Sequence, residues 1–474
     1  MTTPDIQHIH RASRIIAEQT GDYNIHDAED YLHHLQLQVI VSASVHTSAV
    51  FQAALLTIVN AAGRTFLGGV KVIGLGNAQV CTPLANERLL ADAVTSWGGE
   101  LQVGSQEGLP TILLGRDGHY PLNTAIAVRV QVQGWKAAVI PAGDDAVLND
   151  FSTVPLAGIF GAALAVSEVF AACLRLHAEA GQRQLGISLW EPEFVADWRT
   201  AADGPEVKYL PSSLSVIGLG HLGQAYLWAL ASLPYRSPAE VEFVLHDRDI
   251  VAAENLSTCL LIDAGALSFS KARSVASWLE ARGFRTRMIE RRFQAHDHWR
   301  SDDPSLVLVG VDSPRSREEI AVAIATSKGP AQLLDMGLGA SVLDFDEIVL
   351  HASPFSDDDL ERWRQAESRN VIRIERAMND ARLQSLCEAS GLDACGIVRL
   401  AGLAVGVPYV GAAAGALMVA EVLRRLAGHP PMRALSIRLR DLELRHSPQW
   451  HNTGAIPIAF TDARPGGRGF GDSR

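Results

Sequence analysis

Ser213-Leu-Ser-Val-Ile-Gly-Leu-Gly-His-Leu-Gly223 is the stretch whose reading decides the fold of this chain. An apolar strand runs into Gly218, Gly220 and Gly223, and the uncharged Gln224–Ser232 follows as a helix. Glycines at this spacing permit a tight turn, close approach of backbone N–H groups to a phosphate, and close packing of helix on strand. The helix N-terminus then faces the anion. A second apolar strand, Val241–Leu245, delivers His246-Asp247-Arg248-Asp249. An acid at that strand tip is placed to hold a ribose hydroxyl. The unit is a nucleotide-binding βαβ, and the glycine loop alone does not say which nucleotide; an NAD(P) oxidoreductase is its generic reading.

The residues that follow are more specific. After Asp247 and Asp249 come Asn255-Leu256, then Lys271, and then Asp312 at the end of the apolar run Leu306–Val311. In this order they resemble the adenylation core of the E1/ThiF/MoeB superfamily, which uses ATP to activate the C-terminal carboxylate of ubiquitin-like proteins. The resemblance implies a nucleotide cradle at Gly218, Gly220 and Gly223, a ribose contact at Asp247, and Asp249 and Asn255 beside the reacting phosphate. It further implies a fixed cation at Lys271 and a Mg²⁺ ligand at Asp312. An NAD(P) enzyme would explain none of Asn255, Lys271 and Asp312. One departure stands out: the family's N-L-x-R-Q ends here in Thr258-Cys259, so the arginine is missing. Dimeric relatives bring a second arginine from the partner's N-terminal helix. Arg11 and Arg14 are the candidates for that part, against the plain alternative of exposed helix arginines.

Outward from the loop, the chain contains an internal echo. Val154–Phe170 can be laid on Val407–Leu423 without a gap, pairing Pro155 with Pro408, Gly158 with Gly411 and Glu168 with Glu421. Apolar composition alone does not put Pro, Gly and Glu in register, so the pattern reads as a duplication. The first copy opens with the strand Leu37–Ser44 and an apolar helix to Ala62, but Ser42 and Ser44 stand where a phosphate cradle needs glycine. Val70-Lys-Val-Ile-Gly-Leu-Gly76 lacks the third glycine and reads as a decoy.

The expected fold is α/β: two tandem Rossmann-like (ThiF/E1-type) adenylation folds forming a pseudo-dimer, with a Cys-bearing insert in the second. The expected boundaries are an N-terminal helical segment at 1–36, an inactive adenylation-like domain at 37–181, a connector at 182–212 and the active domain at 213–350. The insert then takes 351–395, the active domain resumes over 396–430, and 431–474 hold a strand, Leu435–Leu444, and a flexible tail. Asp357–Asp359 are expected to cap a helix with a solvated face. The uncharged Leu400–Ala420 is long enough to span a bilayer, yet its glycines and Pro408 favour a buried strand feeding a packed helix.

Composition narrows the partners. An apolar share of 47% and charged residues at 20% suit a globular protein, and a net charge of −12 argues against nucleic acid. The start Met1-Thr-Thr-Pro-Asp-Ile has no secretion-signal design, so a cytoplasmic protein without a membrane span is expected. Cysteines fall at 81, 173, 259, 387 and 395 with no C-x-x-C, so no zinc site is expected. The histidines of 1–36 lack metal-ligand spacing and read as surface or capping residues.

The resemblance is nearest to the E1-like component of bacterial ubiquitin-like conjugation operons, associated with anti-phage defence. It implies ATP and Mg²⁺ as requirements, and a ubiquitin-like protein and an E2-like protein as partners. It also implies a thioester on a cysteine after adenylation. Cys395, closing the polar insert beside Gly396, is the favoured nucleophile; Cys387 remains a rival, and so does a structural role for Cys395. A sulfur-carrier adenylyltransferase without the thioester step, and a catalytically weakened scaffold, are the alternatives. Homodimerisation beyond the internal pairing stays open.

Overall fold

The computed structural model describes residues 10–20, 25–115, 123–194, 196–294, 299–300, 302–326, 331–339, 341–378, 384, 405–447 and 458–464. Two short helices, α1 (Ser13–Thr20) and α2 (Ile25–His34), precede the first sheet. Its strands and helices run β1 (Leu37–Val41), α3 (Ala49–Ala62), β2 (Val70–Ile73), α4 (Leu90–Ser96), β3 (Gly99–Gln102), β4 (Thr111–Leu114), β5 (Ala127–Gln133), β6 (Lys136–Pro141), α5 (Pro155–Leu174) and β7 (Leu185–Ser188). The spatial order is β3-β2-β1-β4-β5-β6-β7. Pairing is parallel as far as β5 and antiparallel beyond it.

After β8 (Tyr209–Pro211), the second half repeats the plan. It lays down β9 (Ser213–Ile217), α6 (His221–Ala231), β10 (Glu242–His246), α7 (Lys271–Glu280), β11 (Arg285–Ile289), β12 (Leu306–Val309), α8 (Pro314–Ala325), β13 (Gln332–Leu338) and β14 (Glu347–Ala352). Then come α9 (Asp357–Met378), α10 (Pro408–Leu426), β15 (Ala434–Arg438), β16 (Asp441–His446) and β17 (Phe460–Asp462), the last paired with β8. The order β11-β10-β9-β12-β13-β14-β15-β16 matches that of the first sheet strand for strand, with β16 added. The change from parallel to antiparallel falls at the same place, after β13.

The residues that hold register between the two copies have matching physical jobs. Pro155 and Pro408 each open a long helix, where a missing N–H costs nothing. Gly158 and Gly411 let α5 and α10 press onto the starts of α3 and α6, since a Cβ would overlap Val50 O in one case and His221 Nε2 in the other. Glu168 Oε2 accepts the Gly181 amide at 2.9 Å and Glu421 Oε1 the Met432 amide at 3.0 Å, tying down the return to β7 and to β15.

The core is continuous across both halves. Helix α5 packs on α3 and α10, and α10 packs on α6, with Phe170 and Tyr409 rings 5.9 Å apart. Trp228 donates to Thr57 Oγ1 at 3.0 Å across the same boundary. Among the described residues, Pro155–Leu174 is the one helix long and apolar enough to cross a membrane, and 89% of that stretch is buried inside the fold. Hydropathy had pointed instead to 400–420. There, Val405 and Val407 are buried without forming a strand, and 400–404 lie outside the described residues.

Three further expectations need correction. The stretch 182–212 is more than a connector, because β7 completes the first sheet and β8 pairs with β17. Leu435–Leu444 is two strands; the chain reverses at Leu439-Arg440, where Arg440 makes a bidentate ion pair with buried Asp346. Capping of α9 falls to Ser356: Asp359 N donates to Ser356 Oγ at 3.3 Å, and Asp359 Oδ2 accepts the Ser356 amide at 2.9 Å. That helix buries Trp363, so its face is not wholly solvated.

Candidate functional site

Strands β9, β10 and β12 are parallel neighbours, so the residues that follow each of them gather at one edge of the sheet. The chain leaves β9 towards β10 on one side and returns as β12 on the other, which opens a crevice at that edge. Gly218, Gly220 and Gly223 follow β9, Asp247 and Asp249 follow β10, and Asp312 follows β12.

The three glycines do different work. Gly218 has φ +90°, and a Cβ there would lie 2.9 Å from the Gly310 backbone. At Gly223 a Cβ would overlap Gly218 O, so this glycine sets how closely α6 packs on the turn. Gly220, capping α6, faces open space: nothing lies within 4 Å of where its Cβ would be. The sequence reading missed Gly310, whose own Cβ would lie 2.7 Å from Gly223 N. Gly115 is its counterpart at the end of β4, and a Cβ there would overlap Ser42 Oγ. In the first half, Ser42 and Ser44 bond to each other at 2.7 Å within that turn.

Asp247 braces the loop. Its Oδ2 accepts the Leu219 amide at 2.7 Å and its Oδ1 the Asp249 amide at 2.8 Å, with lone pairs to spare on both oxygens. Lys271 is the first residue of α7; its amide donates to Asp249 O at 2.9 Å, and its Nζ lies 3.6 Å from Asp249 Oδ2. Lys271 is mostly buried whereas Asp249 is exposed, so the ammonium is held from the inside. Asn255 sits in the short 3₁₀ turn Ala253–Ser257, where its Oδ1 accepts the Ala252 amide at 2.9 Å. That bond fixes the side chain and leaves the Nδ2 end to be presented. Asp312 is exposed between β12 and Ser313, the N-cap of α8. Behind it, Arg317 pairs with buried Asp335 at 2.9 Å and donates to Val311 O at 2.8 Å.

Thr258 and Cys259 are both buried, so neither places a cation at the crevice. Burial raises the Cys259 thiol above its ordinary value; it pushes Cys81 up to about 11 and Cys173 up to about 12. All three remain protonated thiols near neutrality. Cys387 and Cys395 lie outside the described residues.

Arg11 and Arg14 are not the exposed helix arginines of the plain alternative. Arg14, on α1, is buried, and Arg11 just before it reaches Glu254 at 3.3 Å, beside Asn255. His221, between Gly220 and Leu222, has its Nε2 sealed against Gly411. Loss of solvation, with the nearby Arg11 charge adding to it, pushes this imidazole down to about 4. Residue His221 as a whole is half-buried, so the sealing concerns the ring edge that faces α10.

Fold and site together define an E1-like protein, and comparison with known proteins agrees. The BilD C-terminal domain family matches residues 210–429 and the BilD N-terminal domain family residues 36–189. Over 469 residues, 97% of this chain and 99% of the relative, it is 36% identical to the bacterial E1-like protein BilD of Collimonas sp. (strain OK412). The chain belongs to the BilD family of bacterial E1-like proteins. Among solved structures, TcdA (CsdL) aligns with 46% of this chain and 86% of its own, at 17% identity and a TM-score of 0.31.

Proposed function

We propose that the chain activates a ubiquitin-like protein with ATP. The carboxylate at the modifier's C-terminus attacks the α-phosphorus of ATP, and pyrophosphate leaves. A cysteine thiolate then attacks the carbonyl of the acyl-adenylate, AMP leaves, and the thioester passes to an E2-like protein. The observation that carries this reading is the convergence of the open Gly220 cradle, Asp247, Lys271 and Asp312 at one sheet edge, in a chain of E1-like family.

The residues fit ATP. Adding a Cβ at Gly220 meets nothing, so the backbone there is open to a phosphate, with the N-terminus of α6 behind it. The spare lone pairs of Asp247 suit a ribose hydroxyl, and the part-buried Lys271 suits the phosphates. Arg11, ion-paired with Glu254, is the guanidinium beside Asn255, where Thr258 supplies none. A Mg²⁺ ion at Asp312 would neutralise phosphate charge. The active centre is single, because the Ser42–Ser44 turn is filled. The matched strand orders and the paired long helices support a pseudo-dimer built by duplication, with an inactive first half. Cys395 is the proposed nucleophile, ATP and Mg²⁺ the requirements, a conjugation system of the anti-phage type the setting, and the cytoplasm the location.

The test uses modifier, ATP and Mg²⁺. Wild-type protein forms a reductant-sensitive band on a non-reducing gel. Cys395→Ala loses the band but keeps ATP–pyrophosphate exchange, since adenylation precedes thiol attack. A band that survives Cys395→Ala and vanishes in Cys387→Ala moves the nucleophile to Cys387. Exchange without any thioester favours a sulfur-carrier type of reaction.

A further inference from the structure

The loop that carries Asn255 is held by the other half of the molecule. Helix α3 of the first half ends at Ala62; Asn60 in its last turn and Arg64 just past its C-cap Gly63 face the segment 253–262. Each of the three guanidinium nitrogens of Arg64 donates a bond. Its Nε donates to Asn60 Oδ1 at 3.0 Å, one terminal nitrogen donates to Leu256 O, and the other to Ile262 O at 2.8 Å. Asn60 Nδ2 donates to Leu260 O at 2.9 Å between them. Three carbonyls of one loop are therefore captured from a helix about two hundred residues earlier in sequence, counted from the separations 192, 198 and 200.

This arrangement answers a local need. The 3₁₀ turn Ala253–Ser257 leaves its last carbonyls without partners inside the turn, and Thr258-Cys259 turn inward and are buried. Carbonyls buried without donors are costly, and a guanidinium fork is the side chain best shaped to serve two at once. A half-buried cation in turn favours partners on each of its nitrogens. Nε meets Asn60 and each terminal nitrogen meets a carbonyl, so every nitrogen of the fork is engaged at this loop.

We propose that Arg64, oriented by Asn60, is a positioning residue: a clamp through which the inactive half fixes Asn255 in the adenylation site. The assignment rests on the functional reading above, and it gives the degenerate first half a role in the chemistry of the second. Arg64→Lys keeps a charge but cannot hold two carbonyls in a fork.

Two experiments on the full-length chain decide it. In hydrogen exchange, Arg64→Lys speeds the amides of 253–262 by about tenfold or more while β9 and β10 keep wild-type rates. Thr57→Val, which removes a different contact between the halves, leaves 253–262 unchanged. Equal rates in Arg64→Lys and wild type, or equal loosening in Thr57→Val, overturn the clamp without reference to activity. In ATP–pyrophosphate exchange, Arg64→Lys lowers kcat by about tenfold with the KM for ATP within about twofold. In an Asn255→Ala background it costs nothing further, because the two residues act as one unit. Additive losses mean Arg64 does not act through Asn255 and overturn the assignment. Wild-type protein with no exchange reaction defeats the functional reading, and the amide rates still decide the clamp.

Discussion

Adding one methyl group at Gly220 and one at Gly223 should separate binding from folding. At Gly223 the new Cβ overlaps Gly218 O, which is backbone and cannot swing aside. Overpacking of that kind costs about 1–3 kcal/mol or more, so Gly223→Ala lowers the unfolding midpoint and the nucleotide site with it. At Gly220 the Cβ meets nothing within 4 Å, and φ is −83°, a value that alanine tolerates. Gly220→Ala therefore changes folding stability by no more than about 0.5–1 kcal/mol, and stabilisation by reduced unfolded-chain entropy is allowed. The methyl group does occupy the ground that a phosphate must approach. A clash there of about 1–3 kcal/mol raises the Kd for ATP by about 5- to 150-fold. Thermal unfolding of the two apo variants, paired with calorimetric titration of ATP·Mg²⁺, reads both quantities. Gly220→Ala binding ATP as wild type does would mean that no phosphate comes near this loop, and the placement of the nucleotide would be wrong.

Lys271→Ala and Asp312→Ala should each slow modifier-dependent exchange by about 10²–10³-fold if they act as preorganised charge contacts, with circular dichroism spectra unchanged. Glu421→Gln removes the buried carboxylate shared by Arg424, 1% exposed, which keeps only the more exposed Glu193, and Arg425, 6% exposed, and should cost about 3 kcal/mol in urea unfolding. Glu168→Gln, whose Arg183 is 23% exposed, should cost about 1 kcal/mol in the same assay, and equal costs would contradict the burial argument. Burial holds His10 and His221 at about 4, below the unfolded value, so each contributes stability above pH 6.5 that is lost as pH falls toward 4. Between pH 7 and 5 the loss is about 2 kcal/mol per histidine at most, and His221→Gln should flatten the thermal-midpoint profile over that window.

Much of this was legible because it rests on local necessity. A phosphate turn needs glycine at fixed offsets, so Gly218, Gly220 and Gly223 could be read, as could the serines that fill the counterpart turn. The repeated sheet plan was legible through Pro155/Pro408, Gly158/Gly411 and Glu168/Glu421, which hold matching places in the two halves. Contacts made across long sequence separations were not legible. Arg64 looks like any helix-terminal arginine until α3 is laid against the 253–262 loop. Arg440 looks like part of one continuous strand until Asp346 pulls it into a turn. Strand β7 was hidden because Leu185-Gly-Ile-Ser188 is short, contains a glycine and follows the polar run Gln182-Arg-Gln184; only its pairing with β6 makes it a strand. Gly310 could have been found, since a glycine at the tip of a strand beside a glycine loop signals close backbone packing.

Modifier-dependent ATP–pyrophosphate exchange tests the central claim most directly. Protein, Mg²⁺, ATP and labelled pyrophosphate are incubated with and without the ubiquitin-like protein. Label entering ATP only when the modifier and its C-terminal carboxylate are present is the predicted result. No exchange with any intact modifier, together with tight binding of NADH at the same glycine loop, would contradict it.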